Sequence, residues 1–217
     1  MSTARLLIGL IILAAIATVF WHTTGNPAAT PDTFDTSETT VSDGTIHFAI
    51  PRDLGLAITS EQILAKAYIP PCDEGFDYCL YYNGHAYDGT NFESAGVGIR
   101  KRLDLTSQEA CLTTAPEGYE RLHATTTEKS AYAMSLFAPL GDAGAGHYAS
   151  GEEYRLYTAG KCYQFDTRIG ETQFANYPEG SIEKFADTER ESLAATLRDI
   201  VSGITLVDSD AQLTLPQ

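Results

Sequence analysis

The sequence predicts an α+β domain: an antiparallel sheet with a long C-terminal amphipathic helix packed on it, preceded by an N-terminal membrane segment. Three observations carry this expectation. Runs of alternating apolar and polar residues recur from residue 45 to about residue 168, the mark of half-buried strands. One run at helical spacing follows them, with Leu193, Leu197, Ile200, Val201 and Ile204 on one face. Before both, residues 6–21 (LLIGLIILAAIATVFW) carry no charge. Strands followed by a single helix place that helix across a sheet face.

Sixteen uncharged residues lie between a signal-peptide core and a spanning helix. Ala15-Ile16-Ala17 offers a small-residue cleavage site. Apolar Val19, Phe20 and Trp21 continue past it, and Trp21 suits an interfacial anchor, so an uncleaved signal-anchor is preferred over a cleaved signal peptide. Arg5 on one flank orients the rest of the chain outward. The expected location is the cell membrane, single-pass, with the domain on the extracytoplasmic side; a cleaved segment would make the protein secreted or periplasmic.

The expected divisions are residues 1–22 for the membrane segment and 23–44 for a flexible spacer rich in Thr, Pro, Asp and Ser. The domain occupies 45–208, and a polar tail follows at 209–217. The chain has 29 acidic and 14 basic side chains, a net charge of -15. Such a surface repels phosphate backbones, which excludes nucleic acid as a partner, and favours cations or a basic protein.

Four cysteines, Cys72, Cys79, Cys111 and Cys162, all follow the membrane segment. An even number in an oxidising compartment reads as two disulfides. Three connectivities are open; Cys72–Cys79 closing a local loop and Cys111–Cys162 joining distant segments are preferred. The spacing does not suit zinc.

The strands follow in order. Ile46, Phe48 and Ile50 alternate with His47, and Pro51 ends the run. Residues 61–67 suit a helical turn or a strand equally. Residues 78–82 form a short strand before the Asn83-Gly84 turn signal. Residues 93–103 form another, with Ala95, Val97 and Ile99 on one face. Gly96 and Gly98 leave the other face bare for something to approach closely. Arg100, Lys101 and Arg102 close that strand. Thr106-x-x-Glu109 reads as a capping box opening a short helix that holds Cys111. Residues 119–126 and 130–138 are two further strands, with Tyr132, Met134 and Leu136 sharing a face.

A hairpin comes next. With Ala159-Gly160 as a two-residue turn, Leu156 faces Tyr163 and Tyr154 faces Phe165 on the core side. On the other side Tyr157 faces Cys162, Arg155 faces Gln164 and Glu153 faces Asp166. Two carboxylates opposite one another are unfavourable; Arg168, diagonal to Glu153, is expected to relieve them, with a bound cation as the alternative. Residues 170–180 are a connection. Thr188-x-x-Glu191 reads as the cap of the last helix, over 187–202, and a short strand at 204–207 closes the domain.

The opening strand, residues 45–51, and the closing stretch LRDIVSGITL, residues 197–206, resemble the two ends of PsbP/Mog1-like domains. The resemblance implies a domain that binds or assembles and carries no catalytic residues across.

The chain contains no GxSxG, HExxH, P-loop or EF-hand pattern. Ser181-x-x-Lys184 lacks the companion motifs of a serine-lysine enzyme. His85, Asp88 and Glu93, or His147, Glu152, Glu153 and Asp166, are groups that could hold a cation. The candidate binding loop is residues 144–154, with Gly144, Gly146, His147, Ser150, Gly151, Glu153 and Tyr154. Its Ser150-Gly151-x-x-Tyr154 resembles the loop that periplasmic lysozyme inhibitors insert into their enzyme. No catalytic residue and no cofactor are expected. The leading expectation is a tethered protein-binding or structural module of the envelope. A lysozyme inhibitor and a metal-dependent hydrolase are the alternatives.

Overall fold

The computed structural model describes residues 39–58, 67–207 and 212–216. The expected membrane segment, most of the spacer and residues 59–66 lie outside these. Among the described residues no helix is long and apolar enough to cross a membrane.

The domain is mostly antiparallel sheet. Among the described residues ten strands form two sheets, with every strand pair antiparallel. The larger sheet holds β3 (Leu54–Ala57), β4 (Tyr78–Tyr82), β5 (Phe92–Lys101), β6 (Thr125–Glu128), β7 (Ala133–Gly144), β8 (His147–Thr158) and β9 (Lys161–Thr172). Its spatial order is β3-β4-β5-β9-β8-β7-β6. The smaller sheet joins the two ends of the domain: β1 (Thr39–Ser42) and β10 (Thr205–Leu206) flank β2 (Ile46–Ile50). Strand structure therefore begins six residues earlier than the expected domain start, inside the expected spacer. Leu213, placed by expectation in a polar tail, is buried, and its amide bonds the carbonyl of Ile204.

Among the described residues two α-helices accompany the sheets, α1 (Gln108–Thr113) and α2 (Asp187–Ser202). Helix α2 buries Leu193, Leu197, Ile200 and Val201. These join Ile46, Phe48, Val97, Ile99, Tyr154, Leu156, Tyr163 and Phe165 in one core. Fully burying each such side chain is worth about 1.5–3 kcal/mol, so this face supplies the main driving force of folding. Helix α2 spans the expected residues 187–202, but the caps of both helices differ from expectation. The Oγ of Ser107, not Thr106, accepts from the amide of Ala110. At α2 the carboxylate of Glu189 accepts from the amide of Ala186, two residues before the expected box. Phe185, just before this cap, is fully buried, and its amide donates to the side-chain oxygen of Asn91.

The Ala159-Gly160 hairpin has the expected register: Leu156 faces Tyr163, Tyr154 faces Phe165 and Glu153 faces Asp166. Both turn residues have positive φ, 49° and 72°, which matches a two-residue turn of the type that suits twisted strands. Residues 144–154 are not a loop. Ala145 and Gly146 make a second tight turn, and everything from His147 onward is strand β8. Likewise residues 119–124 are turn rather than strand, β7 runs on to Gly144, and β9 extends to Thr172.

Both disulfides pair as preferred, Cys72–Cys79 and Cys111–Cys162. Each holds chain against the sheet face opposite the main core. Cys162 ties down α1. Pro71 and Cys72 lie over Gly96 and Gly98, whose missing side chains leave room for them. The bare face of β5 is thus covered by the protein's own chain.

Candidate functional site

Between these two covers the sheet face is open, and a cleft of about 300 Å³ forms there. Cys72 and Asp73 make one wall; Pro116, Glu117 and Tyr119, just after α1, make another. Leu140, Gly141 and Asp142 of β7 close one end. The floor is strand: Arg100 from β5, Asp166 and Arg168 from β9, and Ala149, Gly151 and Glu153 from β8. Small residues on β8 give the floor its depth. Gly151 is required by geometry, because a side chain there would run into the carbonyl of Thr167.

The floor holds an unusual density of charge for a buried surface. Glu153 and Arg155 are buried, and Arg155 has no exposed surface at all. They pair at 2.5 Å. Arg155 also donates to the carbonyls of Cys111 at 3.3 Å and Thr114 at 2.5 Å, and its guanidinium lies 4.9 Å from the Phe137 ring centre. Arg155 is therefore not an outer charge available to a ligand, as its strand face suggested. The amide nitrogen of Gln164 lies 3.0 Å from Glu153 Oε2 and 2.8 Å from each oxygen of Asp166. Arg102 donates to the Gln164 carbonyl oxygen at 2.7 Å and also grips Asp104.

The relief of the Glu153–Asp166 pair differs from expectation. Arg168 turns away to Asp73. Arg155 compensates Glu153, and Asp166 has only the shared Gln164 amide and Arg100 at 3.8 Å. Burial, and then the neighbouring Glu153 charge, push the Asp166 carboxyl up to about 7. Burial raises Glu153 as well, against the pull of Arg155. The effect is that of two acids side by side on the cleft floor with too few cations to ionise both.

The other candidate residues scatter. Gly144 and Gly146 flank or form the β7–β8 turn. His147 leaves the group expected around it and bonds Glu93 at 2.8 Å, while the ring of Tyr68 stacks on it at 4.1 Å. His85 pairs with Asp88 in an exposed loop, and Glu93 is not with them. Among the described residues no group of three or more potential ligands could hold a metal ion. Ser150 and Gly151 line the cleft. Tyr154 points the other way into the core, only 1% exposed, its hydroxyl on Glu152 at 2.6 Å. The Ser-Gly-x-x-Tyr stretch is therefore a strand with its tyrosine inside, not a protruding loop. Arg100 and Asp73 belong to the cleft and were not singled out as site residues; no local pattern joins them, because β9 alone connects Arg100 to β8.

No family model matches this chain, and no curated protein matches it at a significant level. Among solved structures, the solution structure of cyanobacterial PsbP (CyanoP) from Synechocystis sp. PCC 6803 is similar over 84% of this chain and 99% of its own, at 12% identity and a TM-score of 0.35. PsbP is also named in the family that the two terminal stretches resemble.

Proposed function

We propose that this chain is an extracytoplasmic binding domain, held at the membrane by its N-terminal residues, which recognises a protein partner of the envelope through the cleft on its disulfide-covered face. The observation that carries this reading is the placement of both disulfides. Cys72 stands in one wall, and Cys111–Cys162 anchors the helix that precedes the other. Covalent cross-links at the rim fix the shape of a concave polar surface, which lowers the ordering cost of binding. They also suit an oxidising compartment.

The cleft favours binding over catalysis. Its lining contains no histidine, and its single cysteine is bridged. Glu153 and Asp166 reach the same amide nitrogen, so they do not flank a space in which a bond could be cleaved. The rim carries exposed Glu117 and Asp142, and the whole chain is strongly acidic, which steers a basic partner surface toward it.

The test is affinity capture from native membranes with the full-length protein, comparing wild type with Glu117→Lys/Asp142→Lys. A partner retained by wild type and lost by the rim variant supports the reading. Equal retention by both removes the cleft from it.

A further inference from the structure

The charges on the cleft floor do not cancel evenly, and the remainder defines a ligand. Five carboxylates line the cleft, Asp73, Glu117, Asp142, Glu153 and Asp166, with two guanidinium groups, Arg100 and Arg168. Arg168 is committed to Asp73, and Glu153 to Arg155, its neighbour on the same strand face, sealed under α1. Glu117 and Asp142 are exposed on the rim, where solvent screens them. Arg100 is left with Asp166 alone, at 3.8 Å, beyond hydrogen-bonding distance. Its Nε is buried and has no hydrogen-bond partner. A buried guanidinium donor without an acceptor carries a desolvation cost that an incoming acceptor would recover.

We propose that Arg100, beside Asp166 on the cleft floor, receives a carboxylate group of the ligand. A planar carboxylate matches the guanidinium fork, and can take two parallel hydrogen bonds from it. Protonated Asp166 offers a further donor and removes the competing negative charge. The cleft volume is at the low end for ligand sites, enough for a small organic acid or for the end of a peptide. This proposal rests on the cleft being the binding site and specifies the group it binds.

The groups that face Asp166 fix the pH dependence. They are Glu153 and Arg155 on β8, Arg100 on β5 and Arg102 just beyond its end, Gln164 and Arg168 on β9, and Asp73 on the disulfide-held segment. Arginines stay charged and Gln164 does not titrate, so the acid pair sets the response. Above neutral pH Asp166 ionises, satisfies Arg100 itself and repels the ligand. Affinity should therefore fall by about tenfold from pH 6 to pH 8.

The experiment is calorimetric titration of the detergent-solubilised full-length protein with acetate, with acetyl-trialanine bearing a free C-terminal carboxylate, and with the same peptide as its amide. Binding of the free-carboxylate peptide at pH 6, about tenfold weaker at pH 8 and absent for the amide, is expected. Acetate binding equally well would assign the site to small acids; the peptide alone would assign it to chain termini. Arg100→Gln should abolish binding. Asp166→Asn, neutral at every pH and still able to donate, should retain binding and lose the pH dependence. Equal binding of amide and carboxylate, or affinity rising with pH, overturns the proposal. A rim-dependent partner indifferent to Arg100→Gln would overturn it while leaving the cleft as the binding surface.

Discussion

The buried guanidinium of Arg155 holds the end of helix α1: its Nη1 donates to the carbonyl of Thr114, the residue that caps the helix, at 2.5 Å. A six-residue helix has too few internal hydrogen bonds to persist alone. It is kept by the arginine beneath it and by the disulfide at Cys111. Arg155 also pairs with Glu153, so one side chain links the wall of the cleft to its floor.

Arg155→Met should therefore be severe. It keeps the volume but leaves Glu153 buried without its cation and the helix carbonyls without a donor. Removing one partner of a buried pair costs about 3–5 kcal/mol. Urea unfolding should show a loss of this size; a change below about 1 kcal/mol would place the helix anchor elsewhere.

The two disulfides should differ in weight. In the chain-entropy account, the loop closed by Cys111–Cys162, spanning a separation of 51 residues, is worth about 4 kcal/mol. The loop at Cys72–Cys79, with a separation of 7, is worth about 2.5 kcal/mol. Paired Cys→Ser variants compared by chemical unfolding should follow that order. The reverse order would mean that strain or residual structure, not loop length, sets the difference.

Stability should fall as pH rises from about 4 to about 7. Asp166 has a folded-state value near 7, above the ordinary 3.8, so the folded protein binds more protons than the unfolded chain between these values. Stability contributed by the proton is present at low pH and is lost as pH climbs toward 7. Burial shifts Glu153 in the same direction. Asp43 acts oppositely. Burial alone would raise it, but Lys101 and the amides of Ile46 and Thr45 outweigh that and bring it to about 2. Its contribution is lost only below about pH 4. Unfolding curves from pH 4 to 8 should show a decline that Asp166→Asn flattens. A wild-type profile rising across this range would contradict the assignment.

The outer half of β7 is an open sheet edge with its own protection. Pro139 has no amide to offer, and the hydroxyl of Tyr119 lies on both the amide and the carbonyl of Gly141. Tyr119→Phe should cost about 1 kcal/mol or less globally and speed amide exchange at Gly141. Unchanged exchange there would show that the tyrosine does not guard the edge.

Much of this was legible in the sequence where short-range rules fix the geometry. A two-residue turn at Ala159-Gly160 determines every pair across β8 and β9, including Glu153 opposite Asp166. Four cysteines read as two disulfides, and of three open connectivities the preferred one is present. The β7–β8 turn was hidden because Ala145 adopts a left-handed conformation, φ 52°, that its side chain does not announce. Its glycines read as a loop, so Tyr154, although correctly paired with Phe165 on the core side, was also counted in a candidate binding loop. The direction of Arg155 was equally hidden. Residues on the second sheet face alternate correctly as polar, but only the position of α1 above them decides which are sealed in.

The most direct test of the central claim, that the disulfide-covered cleft is the binding surface, is site-specific photocrosslinking in native envelopes. A photoreactive phenylalanine analogue would replace exposed Asp142 at the cleft rim or exposed Glu191 on α2, on the opposite side of the sheet. The account predicts a discrete adduct from position 142, lost when Arg100→Gln or the Glu117→Lys rim change is added, and none from position 191. An adduct from 191 with none from 142 would contradict it.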